Sequence, residues 1–303
     1  MKSVHNVGIG LLVSLALVTA ATAQATPAPL AAPVAAPEAT PATVRRMITI
    51  AGHTISFHIT PAHTISDHPI AKHGPVIVLD AGGGLDASYW DTLVATLSKQ
   101  TGYKIITYDR AGFGSSDVVP GPWSVKSATD DLSEGLRKLG VTKNVVLVSH
   151  SLAGEIATYL TRRHPQWFRG AVLVDANVPD YYTDGAIDSA IAMYAPIIAA
   201  VKAAPPSREG RQLLALSESF VPTSKAFHKV SWPHAVPVVV IVSEKTPLDA
   251  PAAAQWWRDA HAQFAKRAAN RTLITADGSS HDVAHDRPDV ILKAIMTFSR
   301  TDK

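Results

Sequence analysis

A serine set between a strand-like run and a helix-like run is the first place where residue types and spacing point to chemistry. In "VVLVSHSLAGEIA", residues 145 to 157, four apolar strand formers lead to Ser149, His150 and Ser151, and a helix-like run follows. A hydroxyl on so sharp a turn projects outward, and the positions two residues either side must be small because backbone crowds there. Ser149 and Ala153 are small, and Gly154 follows. A serine hydroxyl is a weak nucleophile at neutral pH and needs a base. His281, in the polar loop of "LITADGSSHDVAHDRPDVI", comes late in the chain and suits that role. A developing oxyanion also needs donors. The amide of Leu152 would stand at a helix N-terminus, where unpaired amides and the dipole favour negative charge. "LDAGGGLDASYW" offers a second donor loop, in which glycines 82 to 84 allow close backbone approach and the amide of Gly83 is the expected partner.

These groups need a scaffold that brings distant segments to one edge. "GPVIVLD", "YKIITYD", "NVVLVS", "GAVLVD" and "PVVVIVS" are short, continuous, β-branched runs of the kind buried on both faces of a parallel sheet. Helix-like segments lie between them at Ser88 to Gln100, Ser124 to Leu139, Leu152 to Arg163 and Ala252 to Ala268. "MITIAGHTISFHI" opens the series as a hairpin around Gly52. The alternation predicts one open α/β sheet covered by helices, with ligands bound outside the carboxyl ends of the strands. Between Asp175 and Pro237 lie about sixty residues, several times an ordinary connection. Ile187, Ile191 and Ile198 near helical spacing, together with "LLALSESF", make residues 176–236 a helical cap insertion.

The N-terminus reads as an export segment. Lys2, the apolar run Val7 to Ala20 and the small residues of "ATAQA" predict a signal peptide over residues 1–25, cut after Ala23 or Ala25. Residues 26–43 are an alanine- and proline-rich linker, and 44–303 form the folded domain. Export to the periplasm or medium follows, with no stable membrane span after cleavage. The absence of cysteine excludes disulfides, thiolate metal sites and a cysteine nucleophile. A net charge of +3 without a dense basic stretch argues against a nucleic-acid partner. His53, His58, His63, His68 and His73 recur every five residues, a period that converges on neither a strand nor a helix face. "HDVAHD" lacks the glutamate that follows the first histidine of zinc-binding helices, so no metal and no cofactor are expected. "QWWRDAHAQFA" reads as a packed helix with Trp256 and Phe264 in the core.

The stretches "LDAGGG", "YDRAGFGSSD", "SHSLAG" and "GSSHDVAHDRPD" together resemble the α/β-hydrolase superfamily over about residues 47 to 300. Departures are Asp80 and Ala81 in place of His-Gly, and Ser149 and Ala153 in place of the elbow glycines. The resemblance implies an α/β-hydrolase fold, a mostly parallel sheet flanked by helices, and structural duty for Asp109 and Arg110. It also implies an acid to orient the histidine. Thr246 stands where many relatives carry that acid, which leaves Asp175 at the end of "AVLVD" and Asp249 as an alternative. Asp175 is preferred because a strand terminus is a steadier base than a loop. The function expected is a serine hydrolase of a small to medium hydrophobic acyl substrate, with Tyr181, Tyr182, Met193 and Tyr194 lining a pocket under the cap. An amidase, lactonase or perhydrolase variant and a non-catalytic ligand-binding protein are the alternatives.

Overall fold

In a computed structural model of the protein, residues 41–65, 74–248 and 250–299 are described. The export segment and most of the arm expected over residues 1–43, together with His68, His73 and Asp249, lie outside them.

Each strand predicted from a short β-branched run is present. The hairpin is β1 (Val44–Ile50) and β2 (His53–Thr60), turning at Ala51 and Gly52, both with positive φ. The rest of the sheet is β3 (Val76–Asp80), β4 (Ile105–Asp109), β5 (Val145–His150), β6 (Phe168–Val174), β7 (Val238–Ser243) and β8 (Arg271–Ala276). Their spatial order is β1-β2-β4-β3-β5-β6-β7-β8; the pairings of β1 with β2 and of β2 with β4 are antiparallel and the others parallel. The chain therefore has an α/β-hydrolase fold, with a mostly parallel sheet flanked by helices.

Both faces of the sheet are covered, which is why its central strands carry no polar alternation. Side chains alternate between two cores: Val78, Leu147 and Leu173 point to one, Ile77, Val146 and Val172 to the other, all fully buried. The first core is closed by α2 (Val125–Lys138), α3 (Ala153–Arg163) and a later helix, Pro251–Lys266. The second is closed by α1 (Asp91–Thr101) and by the C-terminal helix Pro288–Thr297 through Leu93, Leu97, Ile291 and Ile295. Burying each such side chain contributes about 1.5–3 kcal/mol.

Two long helices, α4 (Asp184–Ala203) and α5 (Arg208–Phe227), fill the interval between β6 and β7. Thr183 and Ser207 cap them, each hydroxyl accepting the amide three residues on. α4 packs through Ala186, Ile187 and Ala190, while Ile191 and Tyr194 are exposed. An 18-residue stretch within it, with a mean hydropathy of 1.4, is long and apolar enough to cross a membrane by length and composition only.

The helix after β7 is α6 (Pro251–Lys266), and it corrects one core assignment. Trp256 is 43% exposed and its neighbour Trp257 is 3% exposed. The buried stripe is Ala253, Trp257, Ala260 and Phe264, spaced i, i+4, i+7 and i+11, so Trp256 falls outside the helix's inner face. A short α7 (Val283–Asp286) and α8 (Pro288–Thr297) end the described chain.

Candidate active site

The carboxyl ends of β5 and β6 are adjacent in the sheet, and the chain turns sharply at both. Ser151 follows β5 with φ of 53° and Asp175 follows β6 with φ of 42°. Left-handed backbone costs a non-glycine residue about 1–3 kcal/mol and persists only where the surroundings enforce it. Here they do. The Ser151 amide donates to the Val174 carbonyl at 3.3 Å, its carbonyl accepts from Asn177 at 2.8 Å, and the Asp175 amide donates to Ile241 at 2.7 Å. Ser149 and Ala153, flanking the turn, are fully buried, consistent with a volume limit there. The strict glycine is Gly154, where a Cβ would stand 2.2 Å from the Asn177 carbonyl oxygen.

His281, in the loop before α7, reaches both strand ends. Its Nδ1 lies 2.6 Å from Asp175 Oδ2 and its Nε2 lies 3.0 Å from Ser151 Oγ. An ionised carboxylate only accepts, so Nδ1 carries the proton and the neutral ring's Nε2 accepts from the serine hydroxyl. Three further donors hold Asp175: the Ser243 amide at 3.0 Å, the Ser243 hydroxyl at 2.6 Å and Trp257 Nε1 at 2.8 Å. Asp175 is fully buried, which by itself raises a carboxyl; His281 and Ser243 outweigh that and bring it down to about 2. It is thus a charged acceptor with fixed direction.

Gly82, Gly83 and Leu152 meet above the turn. A Cβ on Gly82 would stand 3.1 Å from Ser151 Cβ, and one on Gly83 would stand 3.3 Å from Leu152 Cδ2. Among the described residues, neither the Gly83 nor the Leu152 amide is engaged in a turn or loop hydrogen bond. Arg110 sets the glycine loop: its guanidinium donates to the carbonyls of Ala81 and Gly82 and, at 2.7 Å, to Asp80 Oδ1. In a trans peptide, carbonyl and amide point opposite ways, so anchoring the Gly82 carbonyl turns the Gly83 amide away from Arg110. Asp80 is buried, and burial lifts it to about 6 against the pull of Arg110. Asp109 accepts the amides of Ala87 and Ser115 and faces His58, a structural task.

The structure thus brings Ser151, His281 and Asp175 together, with Gly83 and Leu152 beside them. Sequence reasoning missed Ser243 and Trp257. A tryptophan on the inner stripe of α6 was a readable sign, but the bond to Asp175 depends on how α6 packs across β7. The expected apolar pocket differs as well. Tyr181 and Tyr182 are 5% and 4% exposed, packed edge-to-face with each other, with Trp257 and with Phe227 in the core, whereas Tyr194 faces out. The aromatic pair begins two residues after a buried Pro179, in a short 3-10 turn, and belongs to the core rather than to an open wall. Of the spaced histidines, His53 faces Asp131 and His58 faces Asp109.

Comparison with known proteins gives a family and an uneven set of relatives. The model of a family described as "Alpha/beta hydrolase family" matches residues 76–294. A probable transporter, efuK, from Hormonema carpetanum is 36% identical over 112 residues, 35% of this chain. The bifunctional esterase/perhydrolase DCH of Acinetobacter calcoaceticus is 31% identical over 109 residues, 36% of this chain. The chain spans only 16% and 39% of the lengths of those two proteins. Among solved structures, the enol-lactonase from Burkholderia xenovorans LB400 aligns with a TM-score of 0.55 at 18% identity, over 84% of this chain and 99% of that one.

Proposed function

The chain belongs to the alpha/beta hydrolase family, and from that premise we propose that it is a serine hydrolase that cleaves an ester or related acyl bond through an acyl-enzyme. The observation that carries this reading is the continuous hydrogen-bonded line from Ser151 Oγ through His281 to Asp175, at 3.0 and 2.6 Å. Ser151 Oγ attacks the carbonyl carbon while His281 Nε2 takes its proton. Asp175 holds the imidazole in the required tautomer and stabilises the imidazolium that forms. The oxygen that gains charge is received by the amides of Gly83 and Leu152, which are free to donate. His281 then protonates the leaving alkoxide, and a water, activated by the same nitrogen, releases the acid and restores the serine.

The substrate proposed is a small to medium hydrophobic acyl compound, because the segment between β6 and β7 is rich in apolar side chains such as Met193, Phe220 and Val221 packed on the core. Amides and lactones would enter through the same acyl-enzyme, and peroxide would replace water in releasing it. Export through the signal-like N-terminus is part of the proposal. The test is turnover of p-nitrophenyl esters of increasing acyl length, together with labelling by a fluorophosphonate probe. Turnover and labelling that both vanish in Ser151→Ala support the reading; wild-type protein that neither turns over nor labels defeats it.

A further inference from the structure

His150, immediately before the serine, sits between two loops that come from distant parts of the chain. Its side chain is buried, and its Nε2 lies 3.0 Å from the backbone carbonyl oxygen of His281. A carbonyl only accepts, so Nε2 carries the proton and donates, which leaves Nδ1 as a bare acceptor. Nδ1 is buried and has no partner. On that side the ring abuts the glycine loop: a Cβ on Gly82 would stand 2.8 Å from Nδ1. The ring also lies 4.6 Å from the His281 ring and stacks on Tyr89 at 4.8 Å, with 20° between the planes.

An unpaired buried acceptor costs about 1–3 kcal/mol, a cost that an apolar side chain of similar volume would avoid. What the histidine offers in return is its Nε2–H. We propose that His150 is a positioning residue: through that donor and its contact with Gly82 it holds the His281 loop and the glycine loop in register around Ser151. The inference rests on the hydrolase reading above. It also explains the requirement for glycine at 82, since any side chain there would displace the ring that fixes the base. Burial, with His281 nearby, lowers the His150 imidazole to about 3, so the ring remains neutral and in one tautomer across the working pH range.

The test compares His150→Gln, His150→Asn and His150→Leu with the wild-type protein. A glutamine amide reaches as far as Nε2 and can donate to the His281 carbonyl; an asparagine amide reaches only as far as Nδ1. Displacement of a catalytic group by about 1 Å costs about 100-fold, so kcat and the rate of phosphonate labelling should fall by about that factor in the Leu and Asn variants. KM should change by less than about threefold, because the loss is in assembling the reacting groups rather than in binding. His150→Gln should recover to within about tenfold of wild type. A purely structural role would instead make the Gln and Asn variants equal, whether equally active or equally impaired, and that result overturns the proposal. If His150→Leu does not fold, the Gln and Asn pair decides alone, with thermal midpoints recorded for both. Absence of Ser151 labelling in the wild type would defeat the hydrolase reading itself; a labelled wild type with no difference between Gln and Asn defeats only the role of His150.

Discussion

Asp175 and Glu155 are buried carboxyls in neighbouring parts of the molecule, and their environments drive them in opposite directions. Asp175, 0% exposed at the end of β6, accepts from His281, Trp257 and both the amide and hydroxyl of Ser243, and is brought down to about 2. Glu155, 3% exposed in the first turn of α3, accepts from Asn177 and Tyr182 on one oxygen only, at 2.9 and 3.0 Å. Its other oxygen is buried without a partner, and burial lifts the group to about 7. Depth alone therefore does not set the state of a carboxyl here. The number of donors and the nearness of an ionisable partner do. The strand-end cluster is built to hold a charge in one direction, whereas the contact between α3 and the start of the cap leaves a carboxyl half satisfied. The proposed chemistry belongs to the first, whereas the second receives Tyr182 from the segment that leads into α4.

The sharpest break of that contrast is removal of the reacting groups. Ser151→Ala should lower kcat by about 10⁵–10⁶-fold with little change in thermal midpoint, measured on the best p-nitrophenyl ester. Asp175→Asn should cost about 10⁴-fold. It should also destabilise the fold, because the new NH2 group sets a donor either against the Ser243 amide and Trp257 or against His281 Nδ1–H. Asp249→Asn in parallel should retain wild-type kcat/KM. Full activity in Asp175→Asn would defeat the assignment of the acid.

Arg110→Met should come next. It frees the glycine loop and leaves Asp80 buried without its cation, a change that destabilises by about 3–5 kcal/mol. Urea midpoints measure that loss, and restoration of stability but not of kcat by the added Asp80→Asn would separate support of the fold from support of the loop.

The pH dependence of stability tests the two carboxyls directly. Asp175 has a folded value below its unfolded value of 3.8, so its contribution is complete above about pH 4 and is lost as pH falls through about 2. Glu155 has the opposite sign. Between about 4.5 and 7 the folded state binds more protons than the unfolded state, so stability falls as pH rises through that window. Glu155→Gln should flatten this slope, gaining on the order of 2 kcal/mol relative to wild type at pH 8 compared with the same difference at pH 5. An unchanged slope in denaturation curves would remove Glu155 as its source. The smallest effect is expected on the exposed side of α4: Tyr194→Ala should shift stability by less than about 0.5 kcal/mol.

Legibility followed the range of the interactions. Strands β3 to β7 could be read from local runs because a strand buried on both faces must be continuously apolar. Ser151 and His281 could be read because each stands at a strand end or in a polar loop with few competing candidates, while Asp175 was preferred over Asp249 without being fixed. Trp256 was read in place of Trp257 because adjacent tryptophans differ by 100° on a helix, and the local pattern did not fix which faced inward. Tyr181 and Tyr182 were read as pocket wall because aromatic content tells of burial without telling against what. Ser243 was not read at all, since a serine at a strand end has no signature until its neighbour strand is known.

The sequence alone determined the alternation of strands and helices and the small-residue corner that exposes a hydroxyl, both properties of contiguous residues. Only the tertiary structure decided which acid meets the imidazole, which tryptophan anchors it, and that His150 lies between the two loops. Those outcomes depend on hydrogen bonds spanning 82 to 131 residues of chain. Their angstrom-scale geometry is set by the register of β5, β6 and β7 and by the packing of α6 across them.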